Sequence, residues 1–241
     1  MNSSYTVFES SIASLPLISR GKVRDIYGAD DEHLLIVTTD RLSAYDVILP
    51  NPVPCKGQVL TQISNFWFKM MEDLIPSHLT DRKLNSLIDD GELCRTLEHR
   101  AIIVRRLDPL PIEAVVRGYL MGSGWRDYQS TGQICGIDLP PNLEQAAQLP
   151  EVLFTPAYKA AAGNHDENIS FGDVDELIGT DLAKCIRDIS IAIYERASKY
   201  AIDRGIIIAD TKFEFGLDDD GQLYIIDEIL TPDSSRFWPL S

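Results

Sequence analysis

From Asp210 the chain reads Asp-Thr-Lys-Phe-Glu-Phe, and after a turn it continues Leu223-Tyr224-Ile225-Ile226-Asp227-Glu228. On a strand, residues two apart share a face, so Asp210, Lys212 and Glu214 point one way while Phe213 and Phe215 point the other. The intervening Asp218-Asp219-Asp220-Gly221 closes a hairpin. A two-residue turn at Asp220-Gly221 sets Asp227 opposite Glu214, and a four-residue loop sets it opposite Lys212. Both registers keep Asp227 on the charged face, and an odd loop length reverses it. Three carboxylates and a lysine are therefore expected to converge. Facing carboxylates repel unless a cation lies between them. Carboxylates beside a lysine are the groups that Mg2+ and nucleotide phosphates favour. Taken alone, the same pattern also fits a surface hairpin with alternating charges.

The 241 residues suffice for one large domain, or two small ones sharing a cleft. With 37 acidic against 22 basic residues the net charge is −15, which repels a phosphate backbone and argues against nucleic-acid binding. A small anionic ligand is still admissible, because a pocket can be locally basic. No apolar run approaches the ~20 residues of a membrane helix, and residues 1–14 lack the basic and apolar parts of a signal peptide. Cys55, Cys94, Cys135 and Cys185 form no CxxC pair, as in a cytoplasmic protein with reduced thiols. The four histidines show no metal-ligand spacing.

The first third is β-rich, with a hairpin of Gly21–Tyr27 and His33–Thr39. Val59, Ile63, Phe66, Met70 and Leu74 fall on one face of an amphipathic helix. Ala101–Leu107 and Ile112–Val116 read as strands around the break Asp108-Pro109-Leu110-Pro111, a candidate hinge. A long helix runs from a Thr180 cap to a Gly205 stop, with Leu182, Ile186, Ile189, Ile193 and Ala197 as its buried stripe. Three short strands follow, at Ile206–Ala209, Lys212–Phe215 and Leu223–Ile226. The fold class is α+β with mostly antiparallel sheets, in two parts, 1–108 and 109–241, sharing a cleft.

Three further stretches carry phosphate chemistry. In Arg20-Gly21-Lys22-Val23-Arg24 a glycine beside basic residues lets backbone and cations approach phosphate; alone it also fits a solvated strand end. Arg117-Gly118-Tyr119-Leu120-Met121-Gly122-Ser123-Gly124 follows an apolar strand with guanidinium, hydroxyl and backbone N–H groups, or is a glycine-rich turn entering a helix. Thr231-Pro232-Asp233-Ser234-Ser235-Arg236 groups hydroxyls and an arginine; alone it also fits an ordinary capped turn. Together they outline a site for two phosphorylated ligands and a metal.

At these residues the chain closely resembles the SAICAR synthetase (phosphoribosylaminoimidazole-succinocarboxamide synthase) family. The matching blocks are GKVRDIY (21–27), TDRLSAYDVILP (39–50), KGQVLTQISNFWF (56–68), PLPIEAVVRGYLMGSGW (109–125), HDENISF (165–171), ADTKFEFGL (209–217) and DEILTPDSSRFW (227–238). The resemblance implies an ATP-grasp-like or kinase-like architecture with a nucleotide cleft. It also implies an ATP-dependent ligase of purine biosynthesis that joins L-aspartate to carboxyaminoimidazole ribotide, with Mg2+. By the same likeness Gly21, Lys22 and Arg24 lie over the ATP phosphates, Arg105 and Leu107 meet adenine, and Lys159 and Lys212 also serve the nucleotide. Glu214 and Asp227 hold Mg2+, and Lys22, Lys212 and Asp210 are the candidate catalytic residues. Ser43, Asp46, Arg117, Ser123, Asp166, Asp233, Ser235 and Arg236 are assigned to the other substrates. The competing readings are a small-molecule kinase on the same cleft and a non-catalytic nucleotide-binding module. Monomer and homodimer are equally compatible with the sequence.

Two departures stand out. Many members carry Thr-Pro-Ser-Thr-Lys-Ala where this chain has Thr155-Pro156-Ala157-Tyr158-Lys159-Ala160, so two hydroxyls are replaced. The sequence also stops at Ser241, where many relatives continue into helical sequence. Since every site block is retained, the expectation is a short but competent enzyme.

Overall fold

The computed structural model describes residues 6–44, 47–159 and 167–241. Residues up to Phe66, together with Ser77–Leu107, form one compact unit; Trp67–Pro76 and Asp108–Ser241 form the second. Of the expected site residues, Asp46 and Asp166 lie outside the described residues.

In the first unit, β1 (Leu17–Arg20), β2 (Arg24–Gly28) and β3 (His33–Thr38) are followed by a ribbon of β4 (Ser43–Ala44) and β5 (Val47–Ile48). Helix α1 (Lys56–Met71) and the short α2 (Gly91–Leu97) precede β6 (Ala101–Arg105). The main sheet has the antiparallel order β1-β2-β3-β6. Its apolar face packs Tyr27, Leu35, Val37 and Ile103 with Ile12, Ile88 and Leu97. Asp90 starts α2 by accepting from the Glu92 and Leu93 amides, which would otherwise lack partners.

Helix α1 forms where the apolar period predicts one, but it buries a different face. Val59 and Phe66 are exposed, whereas Leu60, Thr61, Ser64, Trp67, Phe68 and Met71 are buried. The true stripe has the same helical period displaced by one residue, and it includes two hydroxyls. The Thr61 hydroxyl donates to Thr38 Oγ1 at 3.0 Å, which makes its burial tolerable. Gly57 is required here, since a Cβ would lie 2.2 Å from the Thr38 carbonyl oxygen.

The second unit begins with β7 (Asp108–Pro109) and β8 (Ile112–Tyr119), then α3 (Gly122–Thr131) and a small ribbon of β9 (Gln133–Ile134) and β10 (Ile137–Asp138). Next come β11 (Gln148–Phe154), β12 (Ala157–Tyr158), β13 (Glu167–Asn168), α4 (Phe171–Ile178) and α5 (Thr180–Ile202). Strands β14 (Ile206–Leu217), β15 (Leu223–Ile226) and β16 (Ser235–Pro239) end the chain. They build an eight-stranded sheet along β13-β12-β8-β14-β15, with β11 also on β8 and β7 and β16 also on β14. Thr180 is the first helical residue of α5 and Gly179 its cap. The helix buries Ala183, Ile186, Ser190, Ile193, Tyr194, Ala197 and Ala201, so only part of the expected stripe is fully covered.

The two stretches expected as separate strands, 206–209 and 212–215, are one continuous strand of 12 residues, β14. Its polar Asp210 and Thr211 do not interrupt it, because both are buried against partners described below.

Candidate active site

Strand β14 organises the site. Across it, Asp210 pairs with Arg117 and Lys212 with Val115 of β8. Strand alternation then places Asp210, Lys212 and Glu214 on one face, while Phe213 and Phe215 are buried on the other.

The final hairpin departs from both predicted registers. Its pairs are Glu214 with Ile226, Phe215 with Ile225, Gly216 with Tyr224 and Leu217 with Leu223. The connection from Asp218 to Gln222 is therefore odd. The Asp218 carboxylate shapes it by accepting from the Asp220 and Gln222 amides at 3.1 and 2.8 Å. A regular strand in this register would turn Asp227 onto the face of the two phenylalanines. Strand β15 instead ends at Ile226, and Asp227 adopts a left-handed backbone with φ 66°. That reversal returns its carboxylate to the neighbourhood of Glu214 and Lys212, both of which it influences electrostatically.

Two lysines enter this acidic group. Lys159 Nζ lies 2.5 Å from Glu214 Oε2, and Lys212 Nζ lies 2.6 Å from Glu113 Oε1. Burial and the negative charge of Asp227 hold the Glu214 carboxyl above its ordinary value, against the pull of Lys159 and Lys212. Burial works to lower the Lys212 ammonium, but Glu113, Glu214 and Asp227 outweigh it and raise it. Lys212 thus stays charged.

The donor set suits a hard cation. Glu214 and Asp227 repel each other in a partly buried place, and a divalent ion would remove that repulsion. Among the described residues no group of three or more His, Cys, Asp or Glu converges to hold an ion unaided. A cation here would therefore complete its shell with water or phosphate oxygens, as Mg2+ does.

Next to this group is a cavity of about 370 Å³ lined by Arg117, Ser123, Asp210, Lys212, Ser235 and Arg236, among others. Arg117 is 3% exposed, and each of its three nitrogens is engaged. It donates to Thr155 Oγ1 at 2.9 Å, Asp210 Oδ2 at 2.8 Å, the Met121 carbonyl at 3.2 Å and Ser123 Oγ at 2.9 Å. Arg236 donates to the same Asp210 oxygen from the other side, and its side chain is 47% exposed. Burial pushes the Asp210 carboxyl up, and the two guanidiniums limit the rise. The Thr211 and Ser235 hydroxyls lie 2.8 Å apart. Asp233 is exposed on the loop before β16, and its amide donates to Thr231 Oγ1 at 3.2 Å. The result is a polar, hydroxyl-lined pocket with two partly exposed cations, Arg236 and Lys212.

In the first unit, Gly21 and Lys22 are exposed at the β1–β2 turn, Arg24 opens β2, and Ser43 begins β4. Arg105 is exposed at the end of β6, with Leu107 half-buried two residues later. Glu113, Thr155 and Thr211 are site residues that the sequence reading did not single out. Glu113 carried a signal, a lone charge inside the apolar run Ile112–Val116. Ala157 and Tyr158, where many members carry hydroxyls, form β12; Ala157 is buried opposite Glu113 and Tyr158 is exposed.

A family model described as SAICAR synthetase matches residues 17–241. The chain is 58% identical over 236 residues to phosphoribosylaminoimidazole-succinocarboxamide synthase of Thioalkalivibrio sulfidiphilus, covering 98% of this chain and 80% of that one. It is 59% identical to the Cupriavidus metallidurans enzyme of the same name, over 97% of this chain and 77% of that one. Among solved structures, SAICAR synthase of Saccharomyces cerevisiae complexed with SAICAR superposes with a TM-score of 0.88 at 41% identity, covering 98% and 79% of the two chains. A SAICAR synthetase in complex with ADP superposes with a TM-score of 0.75 at 28% identity, covering 92% and 84%.

Proposed function

The chain belongs to the SAICAR synthetase family, and from that premise we infer that it is an ATP-dependent ligase of purine biosynthesis. It joins L-aspartate to the carboxylate of carboxyaminoimidazole ribotide, giving the succinocarboxamide, ADP and phosphate. One observation supports the residue assignments: β14 carries Asp210, which pairs with Arg236 of β16 at the pocket, and, two and four residues on, the Lys212 and Glu214 cluster.

The chemistry explains why such groups are needed. A carboxylate resists nucleophiles because its charge repels them and its oxygen leaves poorly. Transfer of the ATP γ-phosphoryl group to it gives an acyl phosphate and ADP. The aspartate amine then attacks the acyl carbon, a C–N bond forms, the C–O bond to phosphate breaks, and the nitrogen loses a proton. The protein's part is positioning and charge neutralisation.

We assign residues 1–108 mainly to the nucleotide and 109–241 to the other substrates and the metal. Gly21, Lys22 and Arg24 receive the ATP phosphates, and Arg105 and Leu107 the adenine. Lys159 and Lys212 face the transferring group, Lys212 kept protonated by Glu113. Glu214 and Asp227 would hold Mg2+, which when bound neutralises phosphate charge. Arg236, Ser123, Ser235 and Asp233 take the ribotide, with Arg117 anchoring Asp210 behind them; Ser43, Asp46 and Asp166 complete the substrate set. Among the described residues no helix is long and apolar enough to cross a membrane, and we place the reaction in the cytoplasm.

ADP release in the presence of the ribotide, with and without L-aspartate, tests this reading. Sustained release should require both. A stable phosphorylated product formed without aspartate would instead identify a kinase.

A further inference from the structure

Arg41 is 2% exposed and belongs to no binding surface described above. Its guanidinium grips the β1–β2 turn from behind. Nη2 donates to the Gly21 carbonyl at 2.8 Å, Nε to the Lys22 carbonyl at 3.0 Å and Nη1 to the Phe8 carbonyl at 2.6 Å. Two residues earlier, the Thr39 amide and hydroxyl both donate to the Val23 carbonyl, at 2.9 and 2.8 Å. Three successive carbonyls of the turn are thus drawn to one short segment, 39–41.

A buried guanidinium needs a counter-charge. Asp25, 0% exposed, supplies it at 2.8 Å from Nη2. Asp25 is itself fixed by the Ser10 amide and hydroxyl, each at 2.8 Å. Burial works to raise this carboxyl, but the hydrogen bonds from Arg41 and Ser10 prevail and hold it below its ordinary value.

The consequence for the turn is geometric. Among the described residues every peptide is trans, and in a trans peptide the N–H points opposite to the preceding C=O. Holding the Gly21 and Lys22 carbonyls toward Arg41 therefore directs the Lys22 and Val23 amides away from it. Aligned amides beside basic side chains are what a phosphate chain binds. Arg supplies two or more donors in a fixed fork, which Lys does not.

We propose that Arg41, with Thr39 and its counter-ion Asp25, is a positioning residue for nucleotide binding, holding the Gly21–Val23 turn in the shape that receives phosphates without touching the nucleotide. The proposal rests on the reading of this turn as the ATP-phosphate segment.

The experiment compares wild type with Lys22→Ala, Arg41→Lys and Thr39→Val, measuring Kd for ADP by calorimetry, KM for ATP and for the ribotide, kcat and Tm. Arg41→Lys is expected to raise ADP Kd and ATP KM by about tenfold, and Thr39→Val by about threefold, with ribotide KM held within about twofold. A purely structural role would lower Tm and move both substrates alike, which overturns the proposal. So does unchanged ADP affinity in a folded Arg41→Lys while Lys22→Ala weakens it. Should Arg41→Lys fail to fold, the isosteric Thr39→Val decides by the same criterion. If Lys22→Ala leaves ADP affinity unaltered, the phosphate reading of the turn falls first and the proposal with it.

Discussion

Asp227 influences the Glu214 carboxyl although the sheet pairs Glu214 with Ile226, because Asp227 reverses the chain with φ 66° one residue past the strand. A non-glycine residue in this conformation is strained by about 1–3 kcal/mol. Here the strain coincides with the placing of a second carboxylate beside the first.

The Glu214 carboxyl has a pH consequence. Its raised value means the folded state holds the proton more tightly than the unfolded chain. Its contribution to stability is then fully present below the unfolded value and lost as pH rises through the folded one. Without ligands, Tm should fall as pH rises above the ordinary glutamate value of 4.5. Mg2+ should reverse part of that fall in wild type but not in Glu214→Gln, as read by thermal melts across pH with and without the ion.

The two arginines on Asp210 should behave differently. Arg236 is half-exposed, so Arg236→Ala should cost about 1 kcal/mol of stability or less. It should weaken ribotide binding by about 1.5–3 kcal/mol. Arg117 is buried with every partner inside the protein, so Arg117→Ala should lower ribotide affinity and also destabilise the fold by about 3–5 kcal/mol. Urea melts and ribotide titrations on both variants separate the cases; equal stability losses would contradict the assignment.

Gly122 links backbone conformation to the same pocket. Its φ is 61°, and a Cβ would lie 2.7 Å from Arg236 Nη2. Gly122→Ala should displace the Arg236 guanidinium and raise ribotide KM by about tenfold while leaving KM for ATP unchanged. Steady-state kinetics with each substrate varied in turn checks this.

Residue alternation along 210–215 was enough to predict the charged face of β14, because a strand's period of two is insensitive to its neighbours. The hairpin register was not legible. It depended on Asp218 capping an odd-length turn, and then on one left-handed residue undoing the effect. The buried face of α1 is ambiguous in the sequence for a related reason. Two apolar stripes one residue apart share the helical period, and the buried one includes Thr61 and Ser64, whose suitability comes from a partner such as Thr38 that is distant in sequence. Arg117 was legible as a site residue, but its hydrogen bonds to Thr155, Asp210, Ser123 and Met121 are a tertiary fact.

We propose that Glu214 and Asp227 together hold the cation that phosphoryl transfer requires. ADP release by Asp227→Asn over a Mg2+ titration, alongside calorimetric binding of the ribotide, decides it. Turnover is predicted to fall by about 10²–10³-fold with ribotide Kd within about twofold of wild type. Near-normal turnover at ordinary Mg2+ would contradict the account.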